Sequence, residues 1–343
     1  MRIPPDLPAE LKAALDAKLE GLSRNDVAAR AATLSKTYRD GGNSGAIKSE
    51  SDALAYALAR MPATYAAVSA CLNALSEARP DFAPHTLLDV GAGPGTASWA
   101  AAEAFPTLKS FALLDSNHTL RTLALDLARD STRLGDLNLG GLNYESADAR
   151  AALARSDAAD LVVATYLIGE LGEAERKSLA GAMWAKTADT LLIVEPGTPA
   201  GYARIIAARA QLIAAGADVA APCPHDAKCP LSPPDWCHFS QRLPRSRAHK
   251  QVKGADVPFE DERFSYVVLT RKPVEQRASR MLAQPAVGKA EISAKLCTPE
   301  GVAIAKVPRR DKAAYARARH WRWGDAVREN PHGEEARQRR LEP

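Results

Sequence analysis

The sequence predicts an α/β fold built on a mostly parallel, doubly wound sheet, with a helical region before it and further strands after it. Three observations carry this. From residue 86 onward, short apolar runs alternate with helical patterns, the texture of parallel strands joined through helices. The preceding eighty residues repeat their apolar positions at three- and four-residue steps, the period of helices that bury one face. A glycine-rich turn, Asp89-Val90-Gly91-Ala92-Gly93-Pro94-Gly95-Thr96, follows the first strand, where such a sheet holds its ligands.

Taken in order, Leu7, Leu11, Leu15, Leu19 and Leu22 share one helical face, and Val27, Ala31, Leu34 and Tyr38 share a second. Gly41-Gly42-Asn43-Ser44-Gly45 interrupts the pattern as a loop. A further helical stretch covers 51–76, with Pro62 expected to open its second half. Strands are expected at 86–90, 111–114, 161–164 and 191–194, and a weaker one at 143–146. Helices are expected between them at 96–105, 119–130, 173–185 and 200–215. A strand at 264–270 follows a proline-rich loop, and 292–296 and 302–307 flank Thr298-Pro299-Glu300-Gly301, a hairpin turn. The expected organisation is therefore a helical region (1–80), a Rossmann-like core (81–220), a cysteine-rich metal-binding loop (221–258), a last core strand and hairpin (259–308), and a basic tail (309–343), partly disordered.

No apolar run among the 343 residues is long enough to span a bilayer. Met1-Arg2-Ile3-Pro4-Pro5-Asp6 has no apolar core of a secretory signal, so a cytoplasmic setting without membrane contact is expected. Five cysteines in such a setting favour metal or redox chemistry over a disulfide framework. The net charge of +4 is unevenly divided: residues 241–343 hold 23 Lys and Arg against 13 Asp and Glu, the remainder 22 against 28. That asymmetry points to a polyanion-facing end; a solvated basic tail is the alternative.

Cys223, Cys229 and Cys237 crowd one loop running from Pro222 to His238, which Pro224, Pro230, Pro233 and Pro234 keep out of any regular element. A long irregular segment inside a domain needs something to hold it, and thiolates converging on a metal would do so. Cys297, beside the hairpin turn, could reach back as the fourth. Thiolates suit zinc or iron–sulfur. The spacing is not the paired Cys-x-x-Cys of a zinc ribbon, and four thiolates fit a 4Fe–4S cluster. His225 and His238 leave a mixed Cys/His zinc site open, and buried inert thiols are the third reading. Cys71 lies on an apolar helical face and reads as core.

The glycine turn is Gly-x-Gly-x-Gly. It is neither the Gly-x-Gly-x-x-Gly dinucleotide fingerprint nor a phosphate loop, which needs Gly-Lys-Ser/Thr. With an acidic residue two positions before the first glycine, it resembles motif I of class I S-adenosylmethionine (SAM) methyltransferases. The resemblance implies cofactor contacts from Asp89, Gly91, Gly93 and Gly95. Asp115, at the end of the second strand, can accept hydrogen bonds from ribose hydroxyls. Asp148 follows the third strand, where this family's adenine contact lies. Helix capping and turn chemistry are the alternatives for all three carboxylates. Tyr166 and Glu170, at the end of the fourth strand, are catalytic candidates by position, against ordinary packing and helix-start roles. That segment has neither the Asn/Asp-Pro-Pro-Tyr/Phe signature of amine methylation nor a nucleophilic cysteine. Pro222-Cys223 resembles the 5-methylcytosine dipeptide but follows the fifth strand instead.

Four segments together, Leu87 to Thr96, Leu192-Ile193-Val194-Glu195-Pro196-Gly197-Thr198-Pro199, Pro222 through Cys237, and Phe259 to Tyr266, resemble the ribosomal small-subunit methyltransferase-like family, bacterial relatives of mitochondrial methyltransferase-like protein 17. The resemblance covers nearly the whole chain. It implies SAM as cofactor, a 4Fe–4S cluster on Cys223, Cys229, Cys237 and Cys297, and association with the small ribosomal subunit during its assembly. It also implies that catalysis is in doubt for some members. The expected function is thus a SAM-dependent methyltransferase-like protein acting on small-subunit (16S-type) rRNA, as a monomer. A non-catalytic rRNA-binding assembly factor on the same fold is the alternative, and a small-molecule methyltransferase with a structural zinc is a lesser one.

Overall fold

A computed structural model of the chain describes residues 2–129, 131, 133, 134, 141–275 and 277–328. Three helices come first: α1 (Ala9–Leu19), α2 (Arg24–Arg39) and α3 (Glu50–Ala78). The periodic positions Leu11, Leu15, Val27, Ala31 and Leu34 are buried as the spacing requires. A reciprocal cap starts α3, with Asp52 N–H on Ser49 Oγ and Ser49 N–H on Asp52 Oδ2. The expected break at Pro62 does not occur; α3 runs through it as one helix of 29 residues. Proline interrupts a helix by losing one hydrogen bond and crowding the preceding turn. Here Leu58, Met61, Tyr65, Val68 and Leu72 are all buried on either side of it, and their packing outweighs that local cost.

The helices do not form a separate body. Leu11, Leu34, Leu58 and Leu72 share one hydrophobic cluster with Leu87, Phe111 and Leu161 of the sheet.

The central sheet has the order β3-β2-β1-β4-β5-β8-β6. Its strands are β1 (Thr86–Val90), β2 (Ser110–Asp115), β3 (Leu142–Ser146), β4 (Ala159–Thr165), β5 (Thr187–Pro196), β6 (Asp218–Ala221) and β8 (Phe259–Thr270). β1 to β5 are parallel, and β8 is antiparallel to both β5 and β6. This is the class I SAM-methyltransferase fold, as expected. The crossover helices are α4 (Thr96–Ala104), α5 (His118–Ala128), α6 (Ala149–Arg155), α7 (Glu173–Ala185) and α8 (Pro199–Ala214). The seven-residue α6 and the four-residue β6 are too short for periodicity to reveal.

The cysteine-rich segment is irregular only to residue 238. It continues as β7 (Phe239–Pro244), paired with β8, and α9 (Arg247–Lys253). A second, antiparallel sheet holds β9 (Ser279–Met281), β10 (Ala286–Val287), β11 (Glu291–Thr298), β12 (Gly301–Pro308) and β13 (Ala326–Val327). β11 and β12 form the expected hairpin, in which Thr298 pairs with Gly301. Residues 309–328 do not form the tail that their charge suggested. α10 (Lys312–Ala318) places Ala318 against Ile292 and Val307, and β13 pairs with β9. Burial of a few apolar residues orders this stretch despite its arginines; residues 329–343 lie outside the described residues.

Candidate active site and cysteine centre

A cavity of about 900 Å³ opens at the carboxyl ends of β1, β2, β4 and β5. Gly91, Gly93 and Gly95 all adopt positive φ (72°, 54° and 79°), a conformation that only glycine takes without strain. The turn they make brings Gly91 to Pro94 to the cavity wall and leads into α4 through Gly95. Asp115 fastens it: Oδ2 accepts the Gly93 N–H at 2.9 Å, and Oδ1 accepts the Asn117 N–H at 2.8 Å. Each carboxylate oxygen keeps a lone pair for a further donor. Tyr144 donates its hydroxyl to Gly93 O at 2.7 Å from the neighbouring strand.

Asp89 takes a different place from the one expected. It is fully buried behind the turn, where Oδ2 accepts the Ser98 N–H (3.2 Å) and hydroxyl (2.8 Å), and it does not line the cavity. Burial raises its carboxyl to about 7. Asp148 lines the cavity and also caps α6, accepting N–H groups of Arg150 and Ala151 at 3.1 Å.

Tyr166, Gly169, Glu170, Glu195 and Arg204 form another part of the cavity wall. Tyr166 has φ +57°, rare for a side-chain-bearing residue and worth about 1–3 kcal/mol of strain. The strand ends there, and the tyrosine hydroxyl donates to Glu262 Oε1 at 2.9 Å, with Arg60 3.8 Å from the same oxygen. Glu195, wholly buried, pairs with Arg204 at 2.6 Å and accepts the Gly169 N–H at 3.3 Å, setting the turn that carries Glu170. The Glu170 carboxyl is raised to about 7, first by burial and then by Asp115 and Glu195; the Ser44 N–H opposes the rise.

The roof of the cavity comes from α2, the 41–45 loop and α3, with α9 at one side supplying Val252 and Lys253. Sequence periodicity gave no sign of this, because it reports which face of a helix is buried and not what lies beneath it. The contributions of Tyr144, Asn117, Arg60, Glu262 and Arg204 were likewise invisible, being set by contacts between distant segments.

Cys223, Cys229, Cys237 and Cys297 line a second, small cavity of about 20 Å³, and no cysteine is in a disulfide. Tyr202 donates its hydroxyl to Cys229 Sγ at 3.2 Å, and His225 Nε2 lies 3.8 Å from Cys297 Sγ. Burial raises the Cys223 and Cys237 thiols and pushes Cys297 up to about 12, with the neighbouring cysteines adding to the rise in each. Among the described residues, no three His, Cys, Asp or Glu side chains converge as a single-ion site. Two arginines line the same cavity, Arg209 and Arg280, 3% and 5% exposed, neither in an ion pair with a carboxylate among the described residues. They donate to the carbonyls of His225 (2.6 Å), Pro222 (3.2 Å) and Gly324 (2.9 Å), and Arg209 Nε has no partner there. Burying cationic groups is costly unless negative charge lies close. The donor set and its two arginines therefore suit an anionic, thiolate-ligated group.

A family described as "Mitochondrial small ribosomal subunit Rsm22" matches residues 50–328. The human "Ribosome assembly protein METTL17, mitochondrial" is 30% identical over 296 residues, covering 80% of this chain and 62% of that protein. The Schizosaccharomyces pombe "Rsm22-cox11 tandem protein 2, mitochondrial" is 27% identical over 249 residues, covering 64% of this chain and 32% of that protein. The chain thus spans less than two thirds of the length of these relatives. Among solved structures, a putative RNA methyltransferase, PH1948, from Pyrococcus horikoshii is 14% identical with a TM-score of 0.39, covering 62% of this chain and 84% of that one. Magnesium protoporphyrin IX methyltransferase from Synechocystis, solved with SAM, is 13% identical with a TM-score of 0.39, covering 74% and 99%. By a match that extends over most of its length, the chain belongs to the Rsm22 family of mitochondrial small-ribosomal-subunit proteins.

Proposed function

We propose that the chain binds SAM in the large cavity, acts as a methyltransferase-like factor on small-subunit rRNA during ribosome assembly, and holds a 4Fe–4S cluster on Cys223, Cys229, Cys237 and Cys297. The observation that carries this reading is the shared cavity. It joins the Gly91–Gly93 turn and Asp115 to Tyr166 and Glu170 in one space. SAM, when bound, supplies an electrophilic methyl group. The chain's own part would be to bind and orient: Asp115 would accept from ribose hydroxyls, the glycine turn would admit the ligand closely, and the wall at Tyr166 and Glu170 would face an acceptor. The four thiolates would hold the cluster, tying the 222–238 loop to the β11–β12 hairpin, with Arg209 and Arg280 offsetting its negative charge. The cluster reading draws on the family resemblance and on this pairing of thiolates with buried cations.

An RNA partner is supported by charge and by kinship. Residues 277–328 contain twelve Lys and Arg against four Asp and Glu, and Arg309, Arg310 and Arg319 are exposed. Phosphate neutralisation by such groups dominates affinity for RNA. The human relative is named as a ribosome assembly protein. The relatives' names place them in mitochondria. Among the described residues no helix is long and apolar enough to cross a membrane.

A second reading, a non-catalytic assembly factor, is favoured by Tyr166, whose hydroxyl is already committed to Glu262. Incubation of the chain with tritiated SAM and small-subunit rRNA separates the two. Label transferred to RNA supports the enzyme; RNA bound without label supports the assembly factor. Failure to bind either SAM or RNA overturns both.

A further inference from the structure

The two cavities draw on one helix, α8. α8 sends Arg204 to Glu195 in the large cavity, while Tyr202 and Arg209 of the same helix line the cysteine cavity. Between β5 and α8 lies the turn Pro196-Gly197-Thr198, and this turn has no slack. A Cβ on Gly197 would meet Phe264 N at 2.7 Å, and one on Gly201 would meet Pro196 O at 2.0 Å. Into this turn reaches Trp236, the residue before Cys237, whose indole N–H donates to Gly197 O at 3.1 Å. Cys237 is itself held, its carbonyl accepting the Ser265 hydroxyl at 2.9 Å on β8. Gly197 is two residues from Glu195, which orders the Gly169–Glu170 turn.

We propose that Trp236 is a positioning residue that couples the cysteine centre to the cofactor cavity, so that the chain binds SAM tightly only when the four cysteines hold their metal centre. The inference rests on the cofactor and cluster readings above. Loss of the centre leaves Cys237 held through its carbonyl alone and loosens Trp236 beside it. Gly197 O then loses its donor, and the Glu195 wall with its Arg204 partner relaxes. Packed elements pass such a shift on because they interdigitate without voids. The coupling must also act in reverse: bound cofactor should slow loss of the metal, since linkage between two sites is reciprocal.

The test titrates S-adenosylhomocysteine calorimetrically into the full chain, loaded with iron and sulfide or metal-free, with and without Trp236→Phe. Phenylalanine can keep the stack on His238, whose ring lies 5.0 Å away at 20°, while removing only the donor. In the unsubstituted chain, metal removal should weaken binding by about tenfold, within the usual range of coupling between sites. Loaded Trp236→Phe should retain the visible absorption of the cluster yet bind as weakly as the metal-free chain. Because the metal-free form can lose structure, that loaded variant decides the matter. Equal affinity of loaded and metal-free unsubstituted chain overturns the coupling. Full affinity in loaded Trp236→Phe overturns the role of Trp236. No ligand binding in any form removes the cofactor reading, and no iron uptake removes the cluster reading; the proposal falls with either, and the two results are told apart.

Discussion

Asn117 donates from its side-chain amide to the carbonyl of Ser44 at 2.7 Å and to that of Ile47 at 3.0 Å, fastening the roof loop to the Asp115 side of the large cavity. Its carbonyl oxygen meanwhile caps α5 at Leu120 N–H (3.0 Å), and its backbone N–H reaches Asp115. One residue therefore joins the roof, the start of α5 and the Asp115 carboxylate.

Asn117→Ala should thus lower stability by about 1 kcal/mol, the typical value of a lost N-cap, and weaken S-adenosylhomocysteine binding. Chemical denaturation and calorimetry would measure the two effects. Lost stability with unchanged affinity would show that the roof does not contribute to the ligand site.

Asp115→Ala removes the acceptor expected for the ribose and releases the Gly93 N–H as well. Affinity for SAM should fall by about 1.5–3 kcal/mol, the scale for a charged acceptor. Unchanged affinity would sink the cofactor assignment.

The share of stability set by Glu170 and Asp89 should decline as pH rises from about 4.5 to 7. Glu170 is raised from 4.5 to about 7 by burial, with Asp115 and Glu195 adding, and Asp89 from 3.8 to about 7 by burial. Across that window the unfolded chain gives up these protons while the folded chain keeps them, so the folded state binds more protons and loses stability with increasing pH. Glu170→Gln should flatten part of the decline in Tm, leaving the share of Asp89. Identical slopes for variant and unsubstituted chain would count against the buried, protonated carboxyl.

Cys229→Ser should abolish metal retention, because each thiolate of a four-cysteine centre is a ligand. Iron and sulfide analysis after anaerobic purification reads this directly. Full metal content in the variant would refute a ligand role for Cys229, and zinc in place of iron would return weight to a structural staple.

Arg309, Arg310 and Arg319 are exposed around the start and end of α10. Reversing their charge should weaken rRNA binding and reduce the slope of log affinity against log salt, by about 0.7 per lost phosphate contact on single strands. An unaltered slope would leave these arginines as solvated surface.

Much of the fold was legible because the information is local. Alternating strands and helices follow from apolar periodicity, and Gly91, Gly93 and Gly95 announce a turn that only glycine can make. The grouping of cysteines in one proline-rich loop likewise pointed to a shared site, and the four side chains do line one cavity. What the sequence misjudged was decided by packing at a distance. Pro62 reads locally as a helix start, yet burial on both sides keeps α3 continuous. Residues 312–318 read as part of a basic tail, yet Ala318 packs on the second sheet.

By itself, then, the sequence determined the main run of alternating strands and helices, the glycine turn and the set of thiols, since each depends on residues near one another in the chain. Only the tertiary structure decided that Asp89 stands behind the turn while Asp115 holds it, that the N-terminal helices roof the cavity, and that Arg209 and Arg280 lie buried beside the cysteines. It also set Trp236 against Gly197, 39 residues away in sequence. Such relationships arise from where strands and helices are brought together, and no local period or propensity records them.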